Sequence, residues 1–219
     1  AFWSEGTITL GEQDNTSLAS LQKIQTTGVT IGVDKKVSNR KMYGFALRVG
    51  HDNVSIGTSD TNLKTDMSSF TSYATFPFNN ETFIDTHIGI SSLKIDSRRK
   101  HEAGFLNGNR NGKQIFGSIV YGAEFSKEKL HISPYGRVDL GYTVLDEYLD
   151  SGKVSALKYN EMKIENSKAS FGFIINNSIE KYNYKLKPFG RLEYGKGSVY
   201  SNDTIVSYYT ALPNTNYTH

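Results

Sequence analysis

The chain of 219 residues contains no cysteine, only four prolines and one tryptophan. No disulfide can therefore hold the fold together; an oxidising envelope compartment is compatible with this composition without being required by it. No apolar run approaches the roughly 18 residues of a transmembrane helix, so any membrane span in this chain must be made of strands. Helix signals are almost absent, and only Ser17–Leu21 could form a single helical turn.

Charge of one sign is not concentrated either. The formal net charge is +3, and the charged residues are scattered along the chain. The densest basic run, Arg98-Arg99-Lys100-His101, has no interleaved aromatic residues. A nucleic-acid interface needs a larger basic patch, so we predict no nucleic-acid partner and assign this run to a solvated loop.

Signatures of enzymes and metal sites are missing as well. No Gly-x-Ser-x-Gly nucleophile motif occurs, and the paired acidic and histidine residues lack metal-ligand spacing. Asp85 and His87 share one strand face and could contribute to a barrel enzyme, but a lone histidine is more often a hydrogen-bonded wall residue. We predict that the protein is not an enzyme and has no catalytic residue, no cofactor and no metal ion.

What the chain does contain is 14 tyrosines, 12 phenylalanines and a persistent period of two. The segment 41–51 shows it clearly: one face carries Tyr43, Phe45, Leu47 and Val49, and the other carries Gly44, Ala46, Arg48 and Gly50. Such alternation is typical of a strand with one apolar face. The pattern predicts about ten strands, at 2–10, 23–33, 41–51, 67–76, 82–93, 114–125, 131–144, 168–179, 184–199 and 204–209.

Strand length and loop distribution favour a membrane barrel over a soluble sandwich. Most predicted strands have 10–13 residues, which is longer than the usual 5–6 and enough for a tilted transmembrane strand of about 9–11. Short turns are expected at 34–39, 77–81, 126–129 and 180–183. Long loops are expected at 11–21, 53–65, 97–113 and 146–167, the third including the turn-rich run 107–112. Outer-membrane barrels have this asymmetry, with short periplasmic turns and long outside loops.

Single ionisable residues lie opposite the apolar stripe on several predicted strands. On the barrel interpretation they face the lumen, and we predict them as pore-lining residues without a catalytic role. They are Arg48, Asp85, Glu124, Arg137, Asp139, Arg191 and Glu193.

One pattern occurs twice: proline, aromatic, glycine, arginine, aliphatic, acid, apolar, glycine. The first copy is 134–141 and the second is 188–195. The arginine and the acid are two residues apart and therefore share a face, where they could pair with each other and form a charged pore wall. Alternatively, two hairpins of one meander look alike because they occupy equivalent positions, and this second interpretation is favoured.

The chain resembles the autotransporter β-domain family over nearly its whole length. The resemblance rests on Trp3 in the opening strand, on Gly28–Asp34 followed by a short turn and Gly44–Gly50, and on the two proline-aromatic-glycine-arginine strands with 145–152 after the first. It implies a twelve-stranded, antiparallel, up-and-down transmembrane β-barrel in the outer membrane of a Gram-negative bacterium, an all-β fold. It also implies type V secretion, in which the domain translocates and anchors an upstream passenger.

The resemblance further implies three partners: outer-membrane lipid, the protein's own passenger and the barrel-assembly machinery. About ten of the twelve strands are found, so we expect residues 1–219 to form a single, incomplete barrel domain lacking the last two strands and the terminal aromatic residue. The polar end at 214–219 is expected to be a loop. The alternatives are a soluble all-β adhesion or binding module and a passive outer-membrane porin.

Overall fold

In the computed structural model, every regular element of the described residues is a β-strand. The described ranges are 1–15, 20–38, 40–57, 61–101, 104–127, 129–151, 156–181, 184–202, 204–209 and 212–218. In these ranges there is no helix of the length and apolarity needed to cross a membrane. The helical turn expected at 17–21 lies mostly outside the described residues.

The strands, in chain order, confirm all ten that the periodicity predicts. They are β1 (Phe2–Gln13), β2 (Gln22–Ser38), β3 (Lys41–Ile56), β4 (Thr61–Pro77), β5 (Thr82–His101), β6 (Gly104–Ala123), β7 (Phe125–Lys127), β8 (Leu130–Leu145), β9 (Tyr148–Leu149), β10 (Leu157–Tyr159), β11 (Met162–Asn177), β12 (Ile179–Lys181), β13 (Tyr184–Leu186), β14 (Phe189–Asn202), β15 (Thr204–Tyr209) and β16 (Leu212–Thr218). The strand expected at 184–199 is divided into β13 and β14 around Pro188.

The long strands form one curled antiparallel sheet in the order β1-β2-β3-β4-β5-β6-β8-β11-β14, with β7 pairing to β8. Each strand therefore pairs with the next long strand of the chain, as an up-and-down meander requires. A smaller sheet has the order β16-β15-β10-β9, and β12 and β13 form a separate hairpin. Among the described residues, β1 and β14 are the edges of the large sheet.

The two faces of the large sheet differ in burial and in chemistry. On β3, the stripe Phe45, Leu47 and Val49 is 46%, 54% and 60% exposed, whereas Ala46 on the opposite face is 8% exposed. We call the face that carries Phe45 the outer face and the face that carries Ala46 the inner face. The apolar side chains of the alternating pattern thus lie on the outer face, where they are exposed at the surface of the sheet.

Two of the expected long loops were wrong. The 53–65 region belongs mostly to β3 and β4, and the 97–113 region belongs mostly to β5 and β6, including the basic run at 98–101 and the turn-rich run at 107–112. The ladder continues through Leu93↔Gly112 and Arg98↔Asn107. Asparagine, glycine and, to a lesser degree, lysine are poor strand formers, but β-propensity depends on context, and the backbone pairing of each strand with its neighbour outweighs it here.

Other strand boundaries also differ from those predicted. The region 146–167 contains β9, β10 and the start of β11 at Met162, and the polar chain end expected as a loop contains β16. The turns expected at 34–39, 126–129 and 180–183 are shorter than predicted because the flanking strands extend into them.

The turn between β4 and β5 is stabilised by hydrogen bonds from a residue of the neighbouring turn between β2 and β3. The Asn79 Oδ1 atom accepts hydrogen bonds from the backbone N–H groups of Glu81 (2.9 Å) and Thr82 (2.8 Å). The Arg40 guanidinium donates to the carbonyl oxygens of Asn79 (2.7 Å) and Asn80 (2.5 Å). Arg40 lies between β2 and β3, so one side chain ties two adjacent turns together.

Candidate functional site

Six of the seven predicted pore-lining residues lie on strands of the large sheet with inner-face parity. Arg48 is on β3, Asp85 on β5, Arg137 and Asp139 on β8, and Arg191 and Glu193 on β14. Glu124 instead lies in the break between β6 and β7; its side chain is 57% exposed, and its carboxylate is 3.7 Å from Arg40 at the short-turn end. That these residues line a pore stays a prediction.

The densest polar cluster surrounds the carboxylate of Glu193, whose side chain is 16% exposed. The Tyr135 hydroxyl donates to it at 2.6 Å, and the Arg137 guanidinium donates at 3.1 Å. Arg191 donates to the same carboxylate, and the Lys168 ammonium lies 3.6 Å away. Three cations and a phenol therefore share one acid, which leaves both of its oxygens occupied.

The strand between the two copies of the repeat makes this cluster possible. Gly172 on β11 is the register partner of Tyr135 on β8 and of Glu193 on β14. A Cβ atom at Gly172 would lie 2.9 Å from the Tyr135 hydroxyl and 2.4 Å from the Leu192 carbonyl oxygen. Because no side chain stands at this position, the phenol reaches across the whole strand to the acid.

The two repeat copies therefore act together rather than separately. Within the first copy, Arg137 Nε lies 2.9 Å from Asp139, and the same guanidinium also reaches Glu193 of the second copy. The second copy contributes Arg191, whose Nε donates to Tyr135 at 2.7 Å. The pairing of arginine with acid inside one copy is extended by contacts between the copies.

Arg48 lies on β3, in the half of the inner face away from the Glu193 cluster, and it has different partners. Its guanidinium donates to the hydroxyls of Thr7 (3.3 Å) and Thr30 (3.2 Å), on β1 and β2. A Cβ atom at Gly28 would lie 2.7 Å from this guanidinium. In the described residues it forms no ion pair with a carboxylate.

Near the short-turn end of β1–β4, aromatic rings lie over glycines. The Trp3 indole covers Gly32, where a Cβ atom would be 2.3 Å from the ring, and the Tyr73 ring covers Gly44, where it would be 2.5 Å away. The indole N–H donates to the Tyr73 hydroxyl at 2.8 Å, and that hydroxyl lies 3.4 Å from Asp34. This Trp3–Tyr73 pair spans four strands of the sheet.

The middle of the inner face repeats the aromatic-over-glycine arrangement. Phe116 covers Gly89, where a Cβ atom would be 2.4 Å from the ring, and its ring packs edge-on against His87 with 6.1 Å between centroids. This packing explains why Phe116, an apolar residue, stands on the inner face of β6. No group of three potential metal-binding side chains occurs in the part of the chain that the structure describes.

Sequence reasoning missed three members of the Glu193 cluster: Tyr135, Lys168 and Gly172. The first could have been found, because Tyr135 is the aromatic residue of the repeat and stands two residues before Arg137, on the same face. The other two belong to β11, whose start the prediction placed at Lys168 instead of Met162. Without the register between β8, β11 and β14, nothing connects them to Glu193.

Comparison with solved structures places this fold among autotransporter barrels. The β-domain of the Bordetella autotransporter BrkA is similar with a TM-score of 0.72 and 14% identity, over 94% of this chain and 82% of that one. The translocator domain of the autotransporter NalP from Neisseria meningitidis is similar with a TM-score of 0.58 and 14% identity, over 94% of this chain and 79% of that one. At this level of identity, these two likenesses establish the fold.

Sequence comparison establishes the family. No curated protein sequence matches the chain, but the family model described as "Autotransporter beta-domain" matches residues 2–219. Neither this match nor the two solved structures supports a soluble binding module or a passive porin. The chain therefore belongs to the autotransporter β-domain family, the translocator barrels of the outer membrane of Gram-negative bacteria.

Proposed function

We propose that the inner face is the wall of the pore through which this protein's own passenger reaches the cell surface. The observation that carries the proposal is the opposite chemistry of the two faces: exposed apolar stripes such as Phe45, Leu47 and Val49 outside, and glycine, serine and charged residues inside. A barrel in lipid needs an apolar band outside and tolerates a polar lumen. Residues 1–219 are proposed to form one such domain.

The ion pairs of the inner face suit a wall past which a polypeptide slides. Arg137, Lys168 and Arg191 are each within ion-pair distance of Glu193. Cations that are already paired bind a passing acidic side chain less strongly than free ones. We propose that Arg48, Asp85, Arg137, Asp139, Arg191 and Glu193 line the pore, with Glu124 at its periplasmic rim.

Two further partners belong to the same proposal. The outer face is proposed to contact outer-membrane lipid, because its apolar residues are exposed on consecutive strands. The barrel-assembly machinery is proposed to insert the domain, since a membrane sheet has to be closed before its edge groups are satisfied in lipid. The chemistry proposed is transport without covalent catalysis.

Unique cysteines test the assignment of the two faces, because the chain has none of its own. In cells that make the whole autotransporter, His87→Cys and Thr9→Cys, both exposed on the inner face, should react with a water-soluble maleimide. Ile88→Cys, one residue from His87 on the outer face, is the matched control and should react at least about tenfold more slowly, as expected for a thiol held in lipid. Faster labelling of Ile88→Cys than of His87→Cys would reverse the assignment.

A stalled passenger tests the transport itself. A passenger carrying a folded disulfide-bonded insert should stop in the barrel, protect His87→Cys from the maleimide and crosslink to it. A passive porin would label His87→Cys equally with and without the stalled passenger. Protection in the stalled state alone supports the translocation pore.

A further inference from the structure

The outer face of β4, β5 and β6 changes from apolar to basic over a short distance. Phe70, Ile90 and Ile115 are directly paired across the three strands and are 44%, 60% and 48% exposed. Lys113 stands two residues from Ile115, and Lys94 stands four residues from Ile90. At about 3.3 Å per residue, these lysines are roughly 7 and 13 Å above the apolar row.

Lys64, Lys94 and Lys113 form a diagonal row on these three strands. Lys64 is paired with Asp96, two residues from Lys94, and Lys94 is paired with Asn111, two residues from Lys113. Diagonal neighbours of this kind are about 7–8 Å apart. All three side chains are exposed, so three like charges are held close together on the surface.

The nearby acids are engaged by other residues. Asp66 lies 2.7 Å from the Nδ1 atom of His51, and Asp96 accepts a hydrogen bond from the Asn109 amide. In the described part of the chain, none of the three lysines of the row forms an ion pair. The row therefore keeps unpaired positive charge beside an apolar surface.

A polar concavity of about 510 Å³ adjoins the row on the same face. Lys64 and Arg98 stand in its wall with Asn62, Asn107 and Asn109, and Leu149 and Ser151 close one side. Asp96 also lines it, and its carboxylate accepts the hydrogen bond from the Asn109 amide. The backbone bridge between Asn107 and Ser151 fixes that side to β6. The concavity thus has a formed shape with two cations in its wall, Lys64 and Arg98, against one carboxylate, Asp96, that already has a hydrogen-bond donor.

We propose that this outer-face site binds the phosphorylated headgroup of an outer-leaflet lipid, its acyl chains packing on Phe70, Ile90 and Ile115. The proposal rests on the proposed function, because it needs the β5–β6 hairpin to point outside. A free phosphate ion would have no use for the apolar row directly below the lysines. Cations at the edge of an apolar band suit a molecule with phosphate at one end and acyl chains at the other.

The test uses the complete autotransporter, purified in detergent, with lipopolysaccharide as the probe. The variant Lys64→Gln/Lys94→Gln/Lys113→Gln should bind lipopolysaccharide about tenfold or more weakly than wild type, since each lysine contributes a screened attraction. The control variant Lys35→Gln/Lys36→Gln/Lys127→Gln removes the same charge near the short-turn end and should bind within about twofold of wild type. Lipopolysaccharide freed of its phosphates should bind wild type as weakly as intact lipopolysaccharide binds the first variant.

Equal affinity of the two triple variants would overturn the inference, and so would equal binding of the dephosphorylated probe to wild type. Displacement of lipopolysaccharide by millimolar inorganic phosphate alone would show a simple anion site and would also overturn it. Passenger display, followed by protease accessibility on intact cells, is measured in parallel. Absence of a displayed passenger on cells that make the wild-type protein would contradict the proposed function. Normal display together with unchanged lipopolysaccharide binding by the Lys64→Gln/Lys94→Gln/Lys113→Gln variant would contradict only the lipid site.

Discussion

The two halves of the inner face, one formed by β1–β4 and the other by β8–β14, are held together by different interactions. Over β1–β4 the inner face is held by Trp3 and Tyr73, whose rings cover glycines and share one hydrogen bond. Over β8–β14 it is held by three cations and a phenol around Glu193. Both sides connect strands that are not neighbours in the sheet, the first across four strands and the second across three.

The difference teaches how a polar wall can be stiffened without an apolar core. An aromatic ring over a glycine buries apolar area, and it needs only that the glycine stays without a side chain. An ionic cluster gains from charge-assisted hydrogen bonds, but it depends on every partner, because removing one leaves the others uncompensated. The first device should tolerate loss of its polar groups, and the second should not.

The largest expected effect is that of Glu193→Gln. It removes the acid that Arg137, Lys168 and Arg191 share, and we expect the free energy of unfolding to fall by about 2–3 kcal/mol, less than for a fully buried pair because the cations are partly solvated. Unfolding in urea is measured on the domain in lipid vesicles. Glu165→Gln, an exposed acid on the other face of β11, is the control and should change stability by less than about 0.5 kcal/mol.

A smaller effect is expected from Gly32→Ala. The new Cβ atom would lie 2.3 Å from the Trp3 ring, so the ring must move, and overpacking of this kind costs about 1–3 kcal/mol. In a Trp3→Leu background, the same substitution should cost little, and a double-mutant cycle on unfolding free energies measures the coupling. Gly6→Ala on β1 meets nothing within 4 Å and should be neutral. A cost for Gly32→Ala that persists without the indole would contradict the packing argument.

Tyr73→Phe should cost about 1 kcal/mol, the typical net value of one hydrogen bond. It deletes the acceptor of the Trp3 indole N–H but keeps the ring over Gly44. Because the chain has one tryptophan, its fluorescence follows both the local environment and the unfolding. Tyr43→Phe on the outer face is the matched control, and equal losses in the two variants would remove the role assigned to this hydrogen bond.

The smallest effect is expected for Arg48→Gln. Arg48 bonds only threonine hydroxyls among the described residues and has no carboxylate that would be left unpaired. The loss of stability should stay below about 1 kcal/mol. Arg137→Gln, compared in the same assay, should cost more because Asp139 and Glu193 both lose a partner. The reverse order would mean that the two sides of the inner face do not differ as described.

Much of the fold could be predicted because period two is a local signal. The alternation around Phe45 and Leu47 identifies both the strand and its apolar face, and all ten predicted strands exist. Strand ends were harder, as Arg98 and Asn107 show: their polar side chains look like loop residues, but the ladder pairs them directly. Pairing between strands, and not the preference of either residue, decides where such a strand ends.

The Glu193 cluster was predictable in part for the same reason. The repeat places Arg137 with Asp139 and Arg191 with Glu193, because residues two apart share a face. It does not show that β11 lies between the copies with Gly172 opposite both Tyr135 and Glu193. That contact depends on register across three strands, which a single sequence does not encode locally.

The β5–β6 hairpin extends far beyond what a membrane requires. Each strand has 20 residues, about twice the roughly 9–11 that cross a bilayer, and Arg98 near its end covers the Phe105 ring at 3.7 Å. In the orientation proposed above, this surplus length projects beyond the lipid on the outer side of the membrane. Changes of sequence at the far end of this hairpin therefore leave the proposed pore wall intact, since that end lies outside the length that crosses the bilayer.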